Sequence, residues 1–243
     1  MKTFFKRKFL CLIIVFIAFS TKAQTVDQII KNYTDKMGGL ESMKKLKTAK
    51  IVGFFTTNGD NLPFVIELIN GKGLHLLVST LPNKVANVYY NGQAWKFAIT
   101  GGDSSKPEKV TGDDLLEMRE ESFFPSPLMD YKARGHKVEL IGKVKIHNKD
   151  AYKIKLTRKE NGKVTIYYIG SSDNLLIQTI NTEKIEGKNE LVLTDYSDIK
   201  QFGKSKMFTK TASWVNGMLK QNTTITYNEF DVPVNEKIFK IPH

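Results

Sequence analysis

Five carboxylates crowd one short segment of the sequence, at Asp113, Asp114, Glu117, Glu120 and Glu121. Neighbouring carboxylates can perform general acid–base chemistry, in which one side chain donates a proton and another accepts it. The pattern also has a structural explanation, because acidic residues at the start of a helix stabilise its dipole and the others can face water. We favour the structural explanation and predict no catalytic residues.

Other residue types that support catalysis or metal binding are scattered. The single cysteine, Cys11, lies near the N terminus, and the four histidines are far apart in sequence, at His75, His136, His147 and His243. The sequence contains no Gly-x-Ser-x-Gly motif, no metal-ligand pair and no phosphate-binding loop. We therefore predict no metal ion and no other cofactor. A hydrolase acting on envelope material is the least favoured of our hypotheses.

The N-terminal segment has the pattern of a secretory signal peptide. A basic start (2–8) precedes an apolar run (9–19), and the small residues Thr21 and Ala23 permit cleavage before Gln24. An apolar run of 11 residues is too short to span a bilayer as a helix, which needs about 20 residues. We predict that residues 1–23 are removed and that the mature chain is exported, with no disulfide to stabilise it.

The charge of the predicted mature chain is only moderately basic. Removing residues 1–23 takes away five basic side chains and no acidic one, so the net charge falls from +12 to +7. Lysine dominates and alternates along predicted strands instead of clustering with aromatic residues, which argues against a nucleic-acid site. The lysines are expected to keep edge strands solvated, or alternatively to give peripheral contact with anionic membranes.

The spacing of apolar residues divides the chain into helical and strand segments. From Thr25 to Leu46 the three- and four-residue spacing, interrupted by Gly38-Gly39, predicts a helix, a break and a second short helix. Alternation then predicts strands, with Asn91-Gly92 as the clearest hairpin turn. We place five strands at 49–57, 62–70, 73–80, 84–90 and 94–100, and seven at 136–146, 150–158, 163–170, 175–182, 189–199, 206–214 and 219–228.

The segment between the two groups of strands is predicted to be a helical insert. Residues 100–109 are expected to form a loop, and a capping box of the Thr-x-x-Asp kind, from Thr111 to Asp114, is expected to start a helix. Pro125 and Pro127 end it. An apolar helix between two runs of strands can close over one mouth of a sheet.

These elements predict a mainly β (α+β) protein with one domain over residues 24–243. Several strands, such as 51–55 and 64–69, are apolar on both faces and need cover on both sides. The simplest fold is a single curved antiparallel sheet forming an unclosed half-barrel, with an N-terminal helix and a helical lid insert. We predict an apolar lining of Phe54, Phe64, Ile66, Leu76, Tyr89, Trp95 and Phe97, with lid residues Leu115, Leu116 and Met118. Alternatively, these side chains fill an ordinary core.

Three stretches of the sequence carry a family resemblance. They are an opening of Val26-Asp27-Gln28-Ile29-Ile30, Met37-Gly38-Gly39-Leu40, Leu46 and Ile51-Val52-Gly53; a middle of Ser126-Pro127-Leu128, Val138-Glu139-Leu140-Ile141-Gly142 and Asp150-Ala151-Tyr152-Lys153-Ile154-Lys155-Leu156; and the hairpin from Val164 to Leu175-Leu176-Ile177. In these stretches the chain resembles outer membrane lipoprotein-sorting-like proteins, the LolA/LolB-like superfamily. The resemblance implies an unclosed antiparallel barrel around an apolar cavity capped by helices.

The resemblance also implies a function in the periplasm. It suggests a non-enzymatic carrier or binding protein, expected to be a monomer, that holds acyl chains of a lipid or lipoprotein. The strand arginine that holds the carrier's lid closed is absent from the early strands, and the mature chain lacks the receptor's anchoring cysteine, so neither feature is transferred. The alternative is an envelope interaction module with a filled core and a protein partner.

Overall fold

The N-terminal part of the protein forms two helices joined at a glycine pair. The computed structural model describes residues 24–185 and 187–241, so the predicted signal peptide, with Cys11, and His243 lie outside the described residues. Helix α1 (Val26–Lys36) begins at Thr25, whose side chain accepts a hydrogen bond from the Gln28 N–H at 3.2 Å. Gly38 and Gly39 have positive φ angles, and α2 (Leu40–Lys44) follows. The predicted helix–break–helix order is therefore correct.

The rest of the described chain is dominated by one antiparallel sheet of 14 strands. The strands before the insert are β1 (Thr48–Thr57), β2 (Asp60–Ile69), β3 (Gly73–Thr80), β4 (Asn83–Tyr90), β5 (Gln93–Thr100), β6 (Asp103–Ser104) and β7 (Glu108–Val110). The insert contains α3 (Gly112–Glu121) and α4 (Tyr131–Arg134). The strands after it are β8 (Lys137–Ile146), β9 (Lys149–Thr157), β10 (Val164–Gly170), β11 (Leu176–Ile185), β12 (Lys188–Phe202), β13 (Ser205–Val215) and β14 (Met218–Phe230).

Three local predictions differ from the structure. The predicted loop at 100–109 contains β6 and β7, which both pair with β5 and so extend the sheet edge. The strand predicted at 150–158 begins one residue earlier, at Lys149, because the preceding turn is made by His147 and Asn148, which both have positive φ. The capping box is not formed, because the extended Thr111 is followed by a left-handed Gly112 (φ +63°) and its side chain makes no cap hydrogen bond.

The sheet does not close into a barrel. Strand order runs β6-β5-β4-β3-β2-β1-β14-β13-β12-β11-β10-β9-β8, so the first long strand pairs with the last, and β8 forms one edge. In the described chain no pairing joins β8 to β6 or β7. The described architecture is the predicted mainly β, unclosed half-barrel with helices against it.

Helices cover one face of the sheet, which we call the inner face. Pairing registers place Ile51, Ile66 and Leu76 on the same face, and α3 packs against them. The same face at β9 and β10 carries Ile154 and Tyr167, against which α1 packs. On the opposite, outer face, the C-terminal segment (231–241) packs over β3 to β5. Each face of the first group of strands therefore has its own cover.

Candidate functional site

The candidate site lies between the inner face of the early strands and α3. Strand pairing sets Phe64 beside Gly53 on one side and Val78 on the other, and Leu74 beside Tyr89. Phe64 and Phe55 stack with ring centroids 4.4 Å apart. The buried Met118 and the half-buried Leu115 of α3 pack against this apolar surface. The result is an apolar wall with a helix packed against it.

The structure brings together four of the seven predicted lining residues. Phe64, Ile66, Leu76 and Tyr89 share the inner face and belong to the cluster that α3 covers. Strand alternation places Phe54, Trp95 and Phe97 on the outer face, since Phe54 follows the inner Gly53 and Trp95 follows the inner Ala94. Phe97 packs there with the C-terminal segment.

The three predicted lid residues all lie on α3, but not in the same surroundings. Leu115 and Met118 pack against the apolar wall, and Met118 is 7% exposed. Leu116 is half-buried and does not belong to that cluster. The helical spacing of three residues therefore identifies the pair that covers the wall.

Polar side chains attach the other side of α3 to the turn between β9 and β10. Glu117 accepts hydrogen bonds from Arg158 at 2.8 Å and from Lys163 at 2.6 Å. Asp113 accepts another from the Asn161 amide at 3.0 Å. Since α3 also contacts β3, β4 and β5, it bridges two parts of the sheet that are distant in strand order. It rests on apolar packing on one side and on ion pairs and hydrogen bonds on the other.

The insert is anchored by a buried charged cluster at the end of α3. Glu120 accepts a hydrogen bond from Arg134, and the two side chains are 8% and 11% exposed. His136 lies beside them, with its Nε2 atom 3.8 Å from a Glu120 carboxylate oxygen. Burial lowers the pKa of His136, against the opposing effect of the Glu120 and Glu160 charges. This cluster ties α3 to α4 and to the start of β8.

Glu121 is the member of the acidic segment with unusual electrostatics. Its side chain is exposed to solvent, and the charges of Glu117, Glu183, Arg158 and Lys96 all act on it. Desolvation raises its pKa to about 7, aided by Glu117 and Glu183 and opposed by Arg158 and Lys96. In the described chain, Glu121 makes no side-chain hydrogen bond.

The inner face carries polar groups on β10–β12 that the sequence did not predict. Tyr167 on β10 and Tyr196 on β12 face α1, and burial raises the pKa of both hydroxyls. The Tyr196 hydroxyl lies 3.4 Å from the Thr179 hydroxyl. These tyrosines were not singled out from the sequence, although strand alternation predicts which side chains of each strand share a face. The inner face is therefore apolar at β1–β4 and carries more polar groups at β10–β12.

Because its exposed carboxylate is partly screened by water, replacing Glu121 by glutamine is expected to raise the melting temperature by only about 2–4 °C at pH 8, and by much less at pH 5. The folded pKa near 7 lies above the ordinary value of 4.5, so the folded protein retains a proton that the unfolded chain releases. The stability linked to that proton is present at low pH and lost as pH rises through 7. Thermal unfolding across pH 5–8 measures the effect, with Asp114→Asn as the control; equal shifts at both pH values would contradict it.

The three histidines that the structure describes lie in separate parts of the molecule. His75 lies near Phe239, His136 is in the buried cluster, and His147 lies 2.9 Å from Asp195 on another part of the sheet. Among the acids, Glu117 and Glu120 are engaged with cations. Within residues 24–185 and 187–241, no group of three or more potential ligands is arranged to hold a metal ion.

No helix of the described chain is long and apolar enough to cross a membrane.

No family model matches the sequence, and a search of curated proteins finds no match. Solved structures do match. A LolA superfamily protein from Nitrosomonas europaea has a TM-score of 0.59 at 10% identity, covering 90% of this chain and 99% of that one. An outer membrane lipoprotein-sorting protein domain from Vibrio parahaemolyticus has a TM-score of 0.54 at 8% identity, covering 88% and 97%.

The protein is therefore an unclosed antiparallel half-barrel with helices against its inner face. Its fold is the LolA-like fold, as the sequence resemblance predicted. At such low identity the likeness defines the fold, and function has to be argued from the chain's own residues.

Proposed function

We propose that this protein is a non-enzymatic, exported carrier or binding protein, placed in the periplasm, that holds acyl chains of a lipid or lipoprotein. The ligand chains would lie between α3 and the inner face of β1–β4, where Phe64, Ile66, Leu76 and Tyr89 form the lining. The functional unit is residues 24–243, acting as a monomer. The attachment of α3 is the observation that carries this proposal.

Helix α3 is suited to act as a lid because the attachments along its length differ in kind, while the buried Glu120–Arg134 pair holds its C-terminal end. Leu115 and Met118 contact the apolar wall, which an acyl chain could contact equally well. Glu117, Arg158 and Lys163 form ion pairs whose side chains are 13–29% exposed, so water can reach these groups when the helix moves. Each methylene buried contributes about 0.8 kcal/mol, so a long acyl chain can offset displacement of the helix.

The direct test is native mass spectrometry of the mature protein purified from its own envelope, followed by organic extraction. A stoichiometric lipid would support the carrier function and identify the class of cargo. A ligand-free mass, together with failure to bind added fatty acid, would contradict it.

Leu76→Asn is expected to weaken binding of a fluorescent long-chain fatty acid at least about tenfold, because it places an amide in the apolar wall. Leu77→Asn is the matched control, since the next residue of β3 faces the outer side and packs with the C-terminal cluster. Fluorescence titration measures both affinities, and circular dichroism verifies that both variants fold. Equal losses in the two variants would show that the probe does not use the inner face.

A second candidate function is an envelope interaction module with a filled core. The observation in its favour is that Phe64 and Tyr89 are only 2% and 4% exposed and already pack in the cluster that α3 covers. Such a module would give a ligand-free mass and show no difference between the Leu76 and Leu77 variants.

A further inference from the structure

The sheet splits between its last two strands. β13 and β14 pair from Val215↔Met218 to Lys210↔Thr224 and then separate. Beyond this point β14 continues to Phe230, paired with β1, while the start of β13 pairs with β12. In the described chain, no strand occupies the edge of β14 from Ile225 to Phe230 that faces β13.

The glycine corner between α1 and α2 supports the split. The Lys206 N–H at the start of β13 donates to the Met37 carbonyl oxygen at 2.8 Å, a partner on the helix and not on β14. A Cβ atom at Gly38 would lie 2.4 Å from the Lys204 carbonyl oxygen, so only glycine allows this approach. The contact holds the β12–β13 turn beside the helices and away from β14.

The space left by the split is a cleft of about 710 Å³, which we call the strand cleft. Its walls are α2, the β12–β13 turn and the end of β14, and its lining consists of Ser42, Lys45, Leu46, residues 201–205 and residues 228–231. This volume lies within the usual range of ligand-binding clefts.

Backbone groups of β14 point into the strand cleft. The Asp231 N–H donates to the Thr48 carbonyl oxygen at 2.9 Å, which fixes the hydrogen-bonding register of β14 against β1. In an antiparallel pair the bonded residues alternate, so Glu229 also faces β1. The N–H and C=O groups of Asn228 and Phe230 therefore face the cleft, on an edge where another strand could pair.

The side chain of Asn228 is also without a partner. It is 7% exposed, and neither its amide nitrogen nor its amide oxygen has a hydrogen-bond partner among the residues described. Most buried amides in folded proteins are paired, because leaving one unpaired costs about 1–3 kcal/mol. A carboxamide offers one acceptor and two donors, which complements the N–H and C=O groups of a peptide backbone.

The charged side chains that line the strand cleft balance one another. Lys45 and Lys204 line it together with Glu229 and Asp231. Asp231 accepts the Lys47 N–H at 2.8 Å and Glu229 accepts a hydrogen bond from the Tyr227 hydroxyl, and neither bond removes the charge of the carboxylate. The cleft is therefore expected to select a ligand by backbone pairing and not by net charge.

We infer that the strand cleft binds an extended peptide segment of a partner protein, which pairs with the free edge of β14 and with the Asn228 amide. Strand addition of this kind takes its affinity from main-chain hydrogen bonds and its specificity from a few side-chain contacts. The site adjoins the proposed acyl-binding wall, since Asn228 pairs with Ile51 and Phe230 packs against the same apolar cluster, but it uses the backbone edge of β14 and not the lining side chains of β2–β4.

The test is an NMR titration of the mature protein with the blocked peptide acetyl-Thr-Val-Glu-Val-Thr-amide and with a set that varies its central residue through all amino acids. We expect the amide signals of Asn228 and Phe230 to shift and their hydrogen exchange to slow, while signals from α3 stay unchanged. A peptide methylated on its backbone nitrogens should not bind, because it cannot donate to the strand edge.

Two variants separate binding from folding. Asn228→Ala should weaken the peptide affinity about tenfold while leaving the unfolding midpoint unchanged or higher, because it removes an unpaired amide. Lys204→Glu should shift the preference of the set toward a central lysine, because the lining would then carry three carboxylates and one lysine. Leu76→Asn should bind the peptide normally. The inference is overturned if no peptide of the set shifts the Asn228 and Phe230 signals, or if the Asn228 amide is found to hold an internal water only.

Discussion

Phe64→Ala is expected to lower the free energy of unfolding by about 3–5 kcal/mol. Phe64 is 2% exposed and stacks on Phe55, so truncation removes close contacts and leaves a cavity under α3. Urea unfolding monitored by circular dichroism measures the change, which should appear in the midpoint with an unaltered slope.

The control for Phe64 is Leu81→Ala. Leu81 is also a large apolar residue, but it lies in the turn between β3 and β4 and is 89% exposed. Its truncation should change stability by about 0.5 kcal/mol or less. A loss below about 1 kcal/mol at Phe64 would instead mean that the ring borders empty space, which would contradict close packing there.

Glu120→Ala is expected to destabilise the protein by about 3–5 kcal/mol, because it leaves the Arg134 guanidinium buried without its carboxylate. The double variant Glu120→Leu/Arg134→Met should regain much of that loss, since it removes both charges and keeps the volume. Urea unfolding of the single and double variants measures the coupling.

A surface pair provides the comparison for the buried one. Lys31 and Asp35 on α1 are 66% and 53% exposed, and Lys31→Met should cost about 0.5 kcal/mol or less. If Glu120→Ala were equally mild, the cluster would not be anchoring α3. The lid would then be held by Leu115, Met118 and the contacts of Glu117 alone.

Local signals in the sequence were sufficient for the elements and for most turns. Gly38-Gly39 interrupts a helical repeat, and Asn91-Gly92 joins two alternating segments, so neither needs distant information. The short strands β6 and β7 were not predicted, because a glycine-rich segment has little local preference for a strand. It becomes extended only because the edge of β5 offers it partners.

Only some of the residues on the inner face could be predicted. When a strand is apolar on both faces, its sequence does not show which side chains point toward the helices. Phe54 and Phe55 are adjacent and equally apolar, and only the pairing of Gly53 with Phe64 shows that Phe55 faces inward. Trp95 and Phe97 lie on the outer face, where the C-terminal segment packs, more than 130 residues further along the chain. The strand cleft was not predictable either, since it arises where β13 and β14 diverge.

The pairing of β1 with β14 has a consequence for how the protein is made. A ribosome delivers Thr48–Thr57 early, but one edge of this strand stays unpaired until Met218–Phe230 has been synthesised. Contacts so distant in sequence form slowly, and an unpaired strand edge readily captures another chain. The nascent chain therefore keeps this edge of β1 unpaired throughout most of its synthesis, and the edge becomes paired only when β14 is added.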